Sequence, residues 1–409
     1  MSQQLFNTVE QDSVSRDSTQ NPFLLQFIGD GYFPTKYFNF DLRYLVKFNQ
    51  YEGFRTGLGG VTNQNFSTRY RLNGYTVYGF RDHRFKYSFG GGFRISPKRN
   101  TWINLAYTDD LEESGSSGFL TDKRLFQLFE PRLLNIDLFH AHISKTLNIE
   151  HQIFFNVVAE TEFAVRKIKP TYDYSFVLNN SESYFNYNIS TFKITARWSP
   201  FSTFDYVEKS IREIETGYPN FTFQYTKAFK DVFNGDLNFS KLDLRVVHNI
   251  DHVNSAKTEL TLIGGLANGD VPLQFVYHAY PNNVNKETIM SRFSIAGINS
   301  FETMYFNEFF SDRFATLILK HRLPPFKISP NFKPELVLLT KMAIGTLDNI
   351  GRHQNVTFDT LEHGFTESGI ELNKLLFGFG LSFTYRYGAY HLPDFDDNIA
   401  FKFTFNLSF

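Results

Sequence analysis

The sequence predicts an all-β protein, a transmembrane antiparallel β-barrel of about 16 strands. Three observations carry that prediction. Segments of about 10 residues alternate strictly between apolar and polar, the period of a strand with two unlike faces. The apolar residues are ring-shaped: 49 Phe and 22 Tyr make the chain 18% aromatic, yet mean hydropathy is −0.30. The connections alternate between long and short, as outer loops and inner turns do in such barrels.

The strands are expected, in order, at 38–49, 52–62, 66–80, 85–96, 101–109, 137–149, 151–168, 186–199, 217–227, 238–250, 257–266, 313–323, 334–346, 367–376, 377–388 and 399–409. In the first, Phe38, Phe40, Leu42, Tyr44, Val46 and Phe48 share a face, and Leu45 is the exception. In the fourth, Phe85, Tyr87, Phe89, Phe93 and Ile95 alternate with Lys86, Ser88, Gly90, Gly92, Arg94 and Ser96. A charge on a lipid face costs about 2–4 kcal/mol at mid-bilayer, and the charges keep mostly to the polar face. The last nine residues, FKFTFNLSF, set Phe401, Phe403, Phe405, Leu407 and Phe409 against Lys402, Thr404, Asn406 and Ser408. The aromatic set reads as a C-terminal barrel-insertion signal facing lipid. This strand is expected to pair with the first, because an open edge does not survive in hydrocarbon.

The long connections, 110–136, 169–185, 267–312 and 347–366, all follow odd strands. Among the connections after even strands, 200–216 is the long exception, and its DYVEKSIREIET reads as a short helix. The acidic run DDLEES (109–114) falls in an outer loop. Residues 1–34 read as a linker or the remnant of an upstream periplasmic region, and 35–409 as the barrel. No basic-then-apolar export segment opens the chain, so export to the outer membrane would need one upstream.

Other classes find little support. A net charge of −1 gives no sign of nucleic acid as a partner. Cysteine is absent, which removes disulfides and thiolate metal sites. His140 and His142 would share a strand face, but no third metal ligand is evident nearby. The glycine runs GLGG (57–60) and GGGF (90–93) lack the helix and lysine of a phosphate loop. No cofactor is expected.

The runs NQYEGFRTGLGG (49–60), GYTVYGFRDHRFKYSFGGGF (74–93), NEFFSDRFATL (307–317) and ESGIELNKLLF (367–377) resemble a Bacteroidota outer-membrane family of uncharacterised function. Its members usually carry an N-terminal carboxypeptidase-regulatory-like domain ahead of the barrel. That family is distantly similar to the Bam-type and two-partner-secretion 16-stranded barrels. The resemblance implies that the long loop 267–312 folds into the lumen. In those barrels the loop carries a Ser–Leu–Arg–Gly–Tyr-like motif; here Ser300–Phe301 matches its start, and Glu302 stands where the arginine would be. Lys320, His321, Arg322, Leu323 and Pro324 replace the typical Glu–Tyr–Arg–x–Pro strand, and Lys341 is the inward charge on the next strand. These exchanges suggest a charge-reversed lock in which Glu302 meets Lys320 or Lys341. The bland alternative is that Glu302 is a solvated loop acid.

The expected function is that of a non-enzymatic outer-membrane barrel, in envelope biogenesis or transport, or as the anchor of an upstream regulatory-like domain. Its partners would be outer-membrane lipid, the barrel assembly machinery during insertion, and an envelope protein of unknown identity. A passive channel or solute transporter would instead leave the lumen unplugged, and a rim-active hydrolase would need a reactive group in the loops.

Overall fold

A computed structural model describes residues 31–116, 118–122, 131–178, 182–207, 210–284, 294–326, 328–329, 332–376 and 378–405. No helix among them is long and apolar enough to cross a membrane.

One sheet of nineteen segments dominates. Two of its segments, Phe38–Asp41 and Val46–Asn49, pair with the same neighbour and are halves of one interrupted strand, β1. The series continues through β2 (Gly53–Thr62), β3 (Tyr70–Gly79), β4 (Arg84–Ser96), β5 (Thr101–Glu113), β6 (Phe139–Phe154), β7 (Val157–Pro170) and β8 (Tyr187–Trp198). It proceeds through β9 (Asn220–Phe229), β10 (Phe239–Asp251), β11 (Lys257–Gly269) and β12 (Arg313–Arg322). It ends with β13 (Glu335–Thr346), β14 (Phe365–Leu376), β15 (Phe379–Tyr387) and β16 (Ile399–Phe405). Each pairs antiparallel with the next. The connections after odd strands include 114–138, 171–186, 270–312 and 347–364, while most of those after even strands are short, such as 97–100 and 155–156.

Alternation decides which face is buried. On β16, Phe401 and Phe403 are each 40% exposed, whereas Lys402 and Thr404 between them are 1% and 5% exposed. On β4, Phe85 and Phe89 are exposed while Lys86 and Ser88 are buried. The outer face is therefore apolar and aromatic, and the inner face polar. Two small sheets formed by the connections, Ser175–Leu178 with Glu182–Tyr184 and His353–Gln354, and Pro281–Asn283 with Phe301–Tyr305, pack on the inner face. Long connections fill it: Leu273, Tyr277 and Phe310 join Tyr187, Phe239 and Phe314 in one apolar cluster, and Phe301, Met304 and Phe309 join Ala343 and Phe365 in another.

The structure corrects several expectations. The described residues of 200–216 hold not a helix but a β-hairpin, Thr203–Val207 with Ser210–Glu215. Val207, Ile211 and Ile214 have helical spacing, but Ile211 and Glu213 are the buried pair, a period of two. The acidic run is not all loop. β5 extends through Glu113, and Asp110 faces inward at 7% exposure. In β1 the exception at Leu45 has a cause. A 3-10 turn, Leu42–Tyr44, interrupts the strand, so that Tyr44 turns inward and Leu45 outward. Tyr44 stacks on Tyr75 with ring centroids 4.2 Å apart. Gly59 permits this, since a Cβ there would lie 2.5 Å from the Tyr44 ring and from Tyr75 Cβ. Part of the stretch read as a linker, Tyr32–Pro34, pairs with β1.

The expected ladder between the last strand and the first is not found among the described residues. The free edge of β16 pairs instead, in parallel, with Ser294–Ile295 from the long connection. The free edge of β1 carries Tyr32–Pro34. A 3-10 turn, Pro131–Leu134, packs near both β1 and Ser294–Ile295. Leu407 and Phe409 lie outside the described residues.

Candidate functional site

The most concentrated chemistry lies where the 270–312 connection meets the inner face of β12–β16. Two short segments of the connection, Pro281–Asn283 and Phe301–Tyr305, pair in parallel. That pairing carries Ser300–Phe301–Glu302–Thr303 against the wall. Phe301 is 1% exposed and meets Phe365 of β14 edge to face, with centroids 5.6 Å apart.

Glu302 is 1% exposed. Its Oε2 lies 2.9 Å from Lys402 Nζ and accepts a 2.8 Å bond from Asn282 Nδ2. Its Oε1 accepts from Ser300 Oγ at 2.7 Å and from the Gly297 amide at 3.1 Å, and lies 3.9 Å from Lys341 Nζ. Lys341 reaches further. Its Nζ is 3.0 Å from Glu367 and donates to the Ser300 carbonyl at 2.5 Å. Glu367 in turn accepts the Glu302 amide at 3.0 Å, the Thr303 amide at 2.9 Å and the Thr303 hydroxyl at 2.7 Å. Lys402 also donates to the Asn282 carbonyl.

Two carboxylates and two ammonium groups thus share one dry site. Isolated buried charges would each cost several kcal/mol, and only pairing with full hydrogen bonding makes them tolerable. Burial pushes the Glu302 carboxyl upward. Lys402, Lys341 and the bonds from Ser300 and Lys402 outweigh this and hold it below its ordinary 4.5.

The residues singled out in the sequence divide here. Ser300, Phe301, Glu302 and Lys341 come together. Lys320 does not touch Glu302. It donates to the Ile298 carbonyl at 3.1 Å and pairs with Glu371 at 3.4 Å, so it holds the same connection by its backbone. Arg322 stands apart, 3.3 Å from Glu259 and 4.0 Å from Glu335. Lys402 and Glu367 were missed as partners, although alternation already placed Lys402 on the inner face. A further tie lies above: Arg386, 1% exposed, clamps Glu308 at 2.7 and 3.2 Å.

Among the described residues no group of three His, Asp or Glu side chains could hold a metal. His140 instead bonds Ser114, 3.2 Å away.

The large antiparallel sheet, with its long connection lying against the inner face, is similar in fold to a solved barrel. BamA from Haemophilus ducreyi, in a crystal structure lacking POTRA domains 1–3, aligns with a TM-score of 0.52 at 10% identity, over 88% of this chain and 68% of that one. CdiB from Acinetobacter baumannii and CdiB from Escherichia coli each align with a TM-score of 0.44, at 10% and 8% identity. Both alignments cover 87% of this chain, and 57% and 60% of the respective CdiB. The chain itself belongs to a family of unknown function (DUF5686), as its C-terminal domain, whose model matches residues 32–327. No curated protein matches it.

Proposed function

We propose that this chain is a non-enzymatic transmembrane barrel of the outer membrane, of Bam-like architecture, whose long inward loop is locked to the wall. It serves envelope biogenesis or transport, or anchors an upstream regulatory-like domain. The observation that carries the reading is the division of the two faces. Phe54, Leu58, Phe85, Phe89 and Leu105 are each at least 58% exposed on the outer face. Lys86, Lys341, Arg386 and Lys402 are buried on the inner one. In water the arrangement would be inside out; in lipid it satisfies both faces.

The lock is Glu302 with Lys402 and Lys341, and Ser300 and Phe301 seat it. Lys320 holds the loop backbone, and Arg322 pairs elsewhere on the wall. A loop seated this way fills the inner face beside β12–β16, which supports a gated or plugged barrel over a passive open channel.

Heat-modifiable gel mobility of detergent-folded protein tests the reading, with and without residues 401–409. A fast-migrating, heat-labile form that requires the last strand is expected. A water-soluble, heat-insensitive fold would sink it.

A further inference from the structure

Outward charges are rare at the level where the apolar belt should lie, and one group of them stands beside a groove. On the outer face of β3–β7, Leu72, Gly91, Leu105, Leu147 and Phe163 stand opposite one another in one row. The next row toward the long-connection end reads Phe89, Tyr107, Lys145 and Val165. Gly91 contributes no side chain, so the two rows line a shallow, open groove of about 640 Å³ with a mainly apolar lining. Lys145 is exposed at its rim, between the exposed Ile143 and Leu147 of the same strand. Lys167 pairs with Ile143 and Lys169 with Ala141, so all three lysines are exposed on one outer patch of adjoining strands. Among the described residues none of the three has an ion-pair partner. Asp109, opposite Ile143, is the acid on the same face. The patch keeps an excess of positive charge.

Height along the strand matters as well. Ile153 lies by the short turn, and Lys145 is on the same face of β6. Eight strand residues, tilted at roughly 40°, rise about 20 Å, close to the full height of an apolar belt of about 25 Å. Lys145 therefore sits at the headgroup level of the leaflet on the long-connection side. Tyr87 and Tyr107 stack beside it with centroids 6.1 Å apart, as aromatic residues do at an interface.

We infer that this patch is a binding site for a phosphorylated lipid of the outer leaflet. An acyl chain lies in the groove over Gly91, and phosphate meets Lys145, Lys167 and Lys169. Apolar groove and unpaired cations are complementary to the two halves of an anionic amphiphile, and to neither a neutral lipid nor a free anion. The inference rests on the membrane-barrel reading.

The test uses the full chain, folded and reconstituted in phosphatidylcholine nanodiscs doped with bis-phosphorylated lipid A. The protein is re-extracted in detergent, and retained lipid is counted by native mass spectrometry. Wild type is expected to retain lipid A over phosphatidylcholine. The triple variant Lys145→Gln/Lys167→Gln/Lys169→Gln should lose about fivefold retention per lysine. Gly91→Leu fills the groove without changing charge; a Cβ there would meet Leu72 Cδ2 at 3.4 Å and the Arg71 carbonyl oxygen at 3.8 Å, both ordinary contacts. It should also lower retention. Lys227→Gln is the control, since that lysine lies on β9 and is bonded to Asn238 at 2.7 Å, and it should retain lipid as wild type does. Equal retention by wild type and the triple variant overturns the inference, and so does unchanged retention in Gly91→Leu. Heat-modifiable mobility of the same samples keeps the two readings apart. If it persists in every variant while retention is uniform, the lipid site fails and the barrel stands.

Discussion

The walls at the two ends of the sheet solve the same problem in different ways. Both β1–β5 and β12–β16 bury charges on the inner face. In β1–β5 the buried charges around Arg55 satisfy one another within the wall and its own tight turns, while Arg71 reaches Glu150 of β6 and Glu113 meets Arg132 and His278 of the long connections. Arg55 grips Asp110 with two 2.7 Å bonds, Glu52 lies 3.2 Å from Arg55 and 2.5 Å from Lys86, and Tyr75 donates to Asp110. Glycines 57, 59, 90 and 92 keep that face low, and Tyr44 folds down over it. In β12–β16 the wall is incomplete alone. Lys402 and Lys341 find Glu302 only when the 270–312 connection is seated, and Glu367 bonds the connection's backbone amides. One wall pairs its deepest charges mainly within itself, and the other is made whole by a loop. The difference teaches where a conformational change would be cheap to build: at the wall whose charges depend on a removable partner.

That contrast can be broken most sharply at Glu302. Glu302→Lys sets a third cation beside Lys341 and Lys402, and breaking such a pair costs about 3–5 kcal/mol. The temperature at which the compact gel form is lost should fall by the largest amount of any variant. Glu302→Lys/Lys402→Glu should recover much of it, Glu302→Lys/Lys341→Glu less, and Glu302→Lys/Lys320→Glu none. Absence of rescue by either of the first two would remove the lock.

Phe301→Ala should come next. A buried phenylalanine truncated to alanine costs about 3–5 kcal/mol, and less where the site can collapse. Because Phe301 belongs to the loop, limited proteolysis should cut within 294–312 while β1–β5 stay resistant. Cleavage spread evenly over the molecule would contradict the division into two walls.

Arg55→Gln probes the wall that pairs its deepest charges mainly within itself. Losing charged hydrogen bonds there costs about 1.5–3 kcal/mol. Melting should drop, yet the 294–312 segment should remain as protected as in wild type. Exposure of that segment would show that the two walls are coupled.

The smallest effect is expected from pH. The Glu302 carboxyl is held below its ordinary 4.5, with burial opposed by Lys402 and Lys341. A depressed carboxylate stabilises the seated loop fully above the ordinary value, and that contribution fades as pH falls through the folded one. Proteolytic protection of 294–312 should therefore weaken below about pH 4.5 and be lost more steeply than in Glu302→Gln. A flat profile in wild type would rule Glu302 out as the titrating group.

Much of this was legible in the chain. Period two located the strands and told which face each residue joins, Lys402 and Lys341 included, because successive side chains in a strand must point to opposite sides. The aromatic composition identified the outer face. Other features were hidden for physical reasons. Val207, Ile211 and Ile214 imitate a helix, since a short hairpin and a short helix can share apolar spacing. Leu45 broke the alternation of β1 without revealing the 3-10 turn that causes it. The meeting of Glu302 with Lys402 joins residues a hundred positions apart, and no local pattern specifies such a partner. The sequence by itself determined most of the long strands, their faces and the sign of the buried charges. Only the tertiary structure decided which carboxylate neutralises which lysine, and that Ser294–Ile295 takes the edge of the last strand. Burial forces every charge and edge to find a partner, but the path of a long loop selects it.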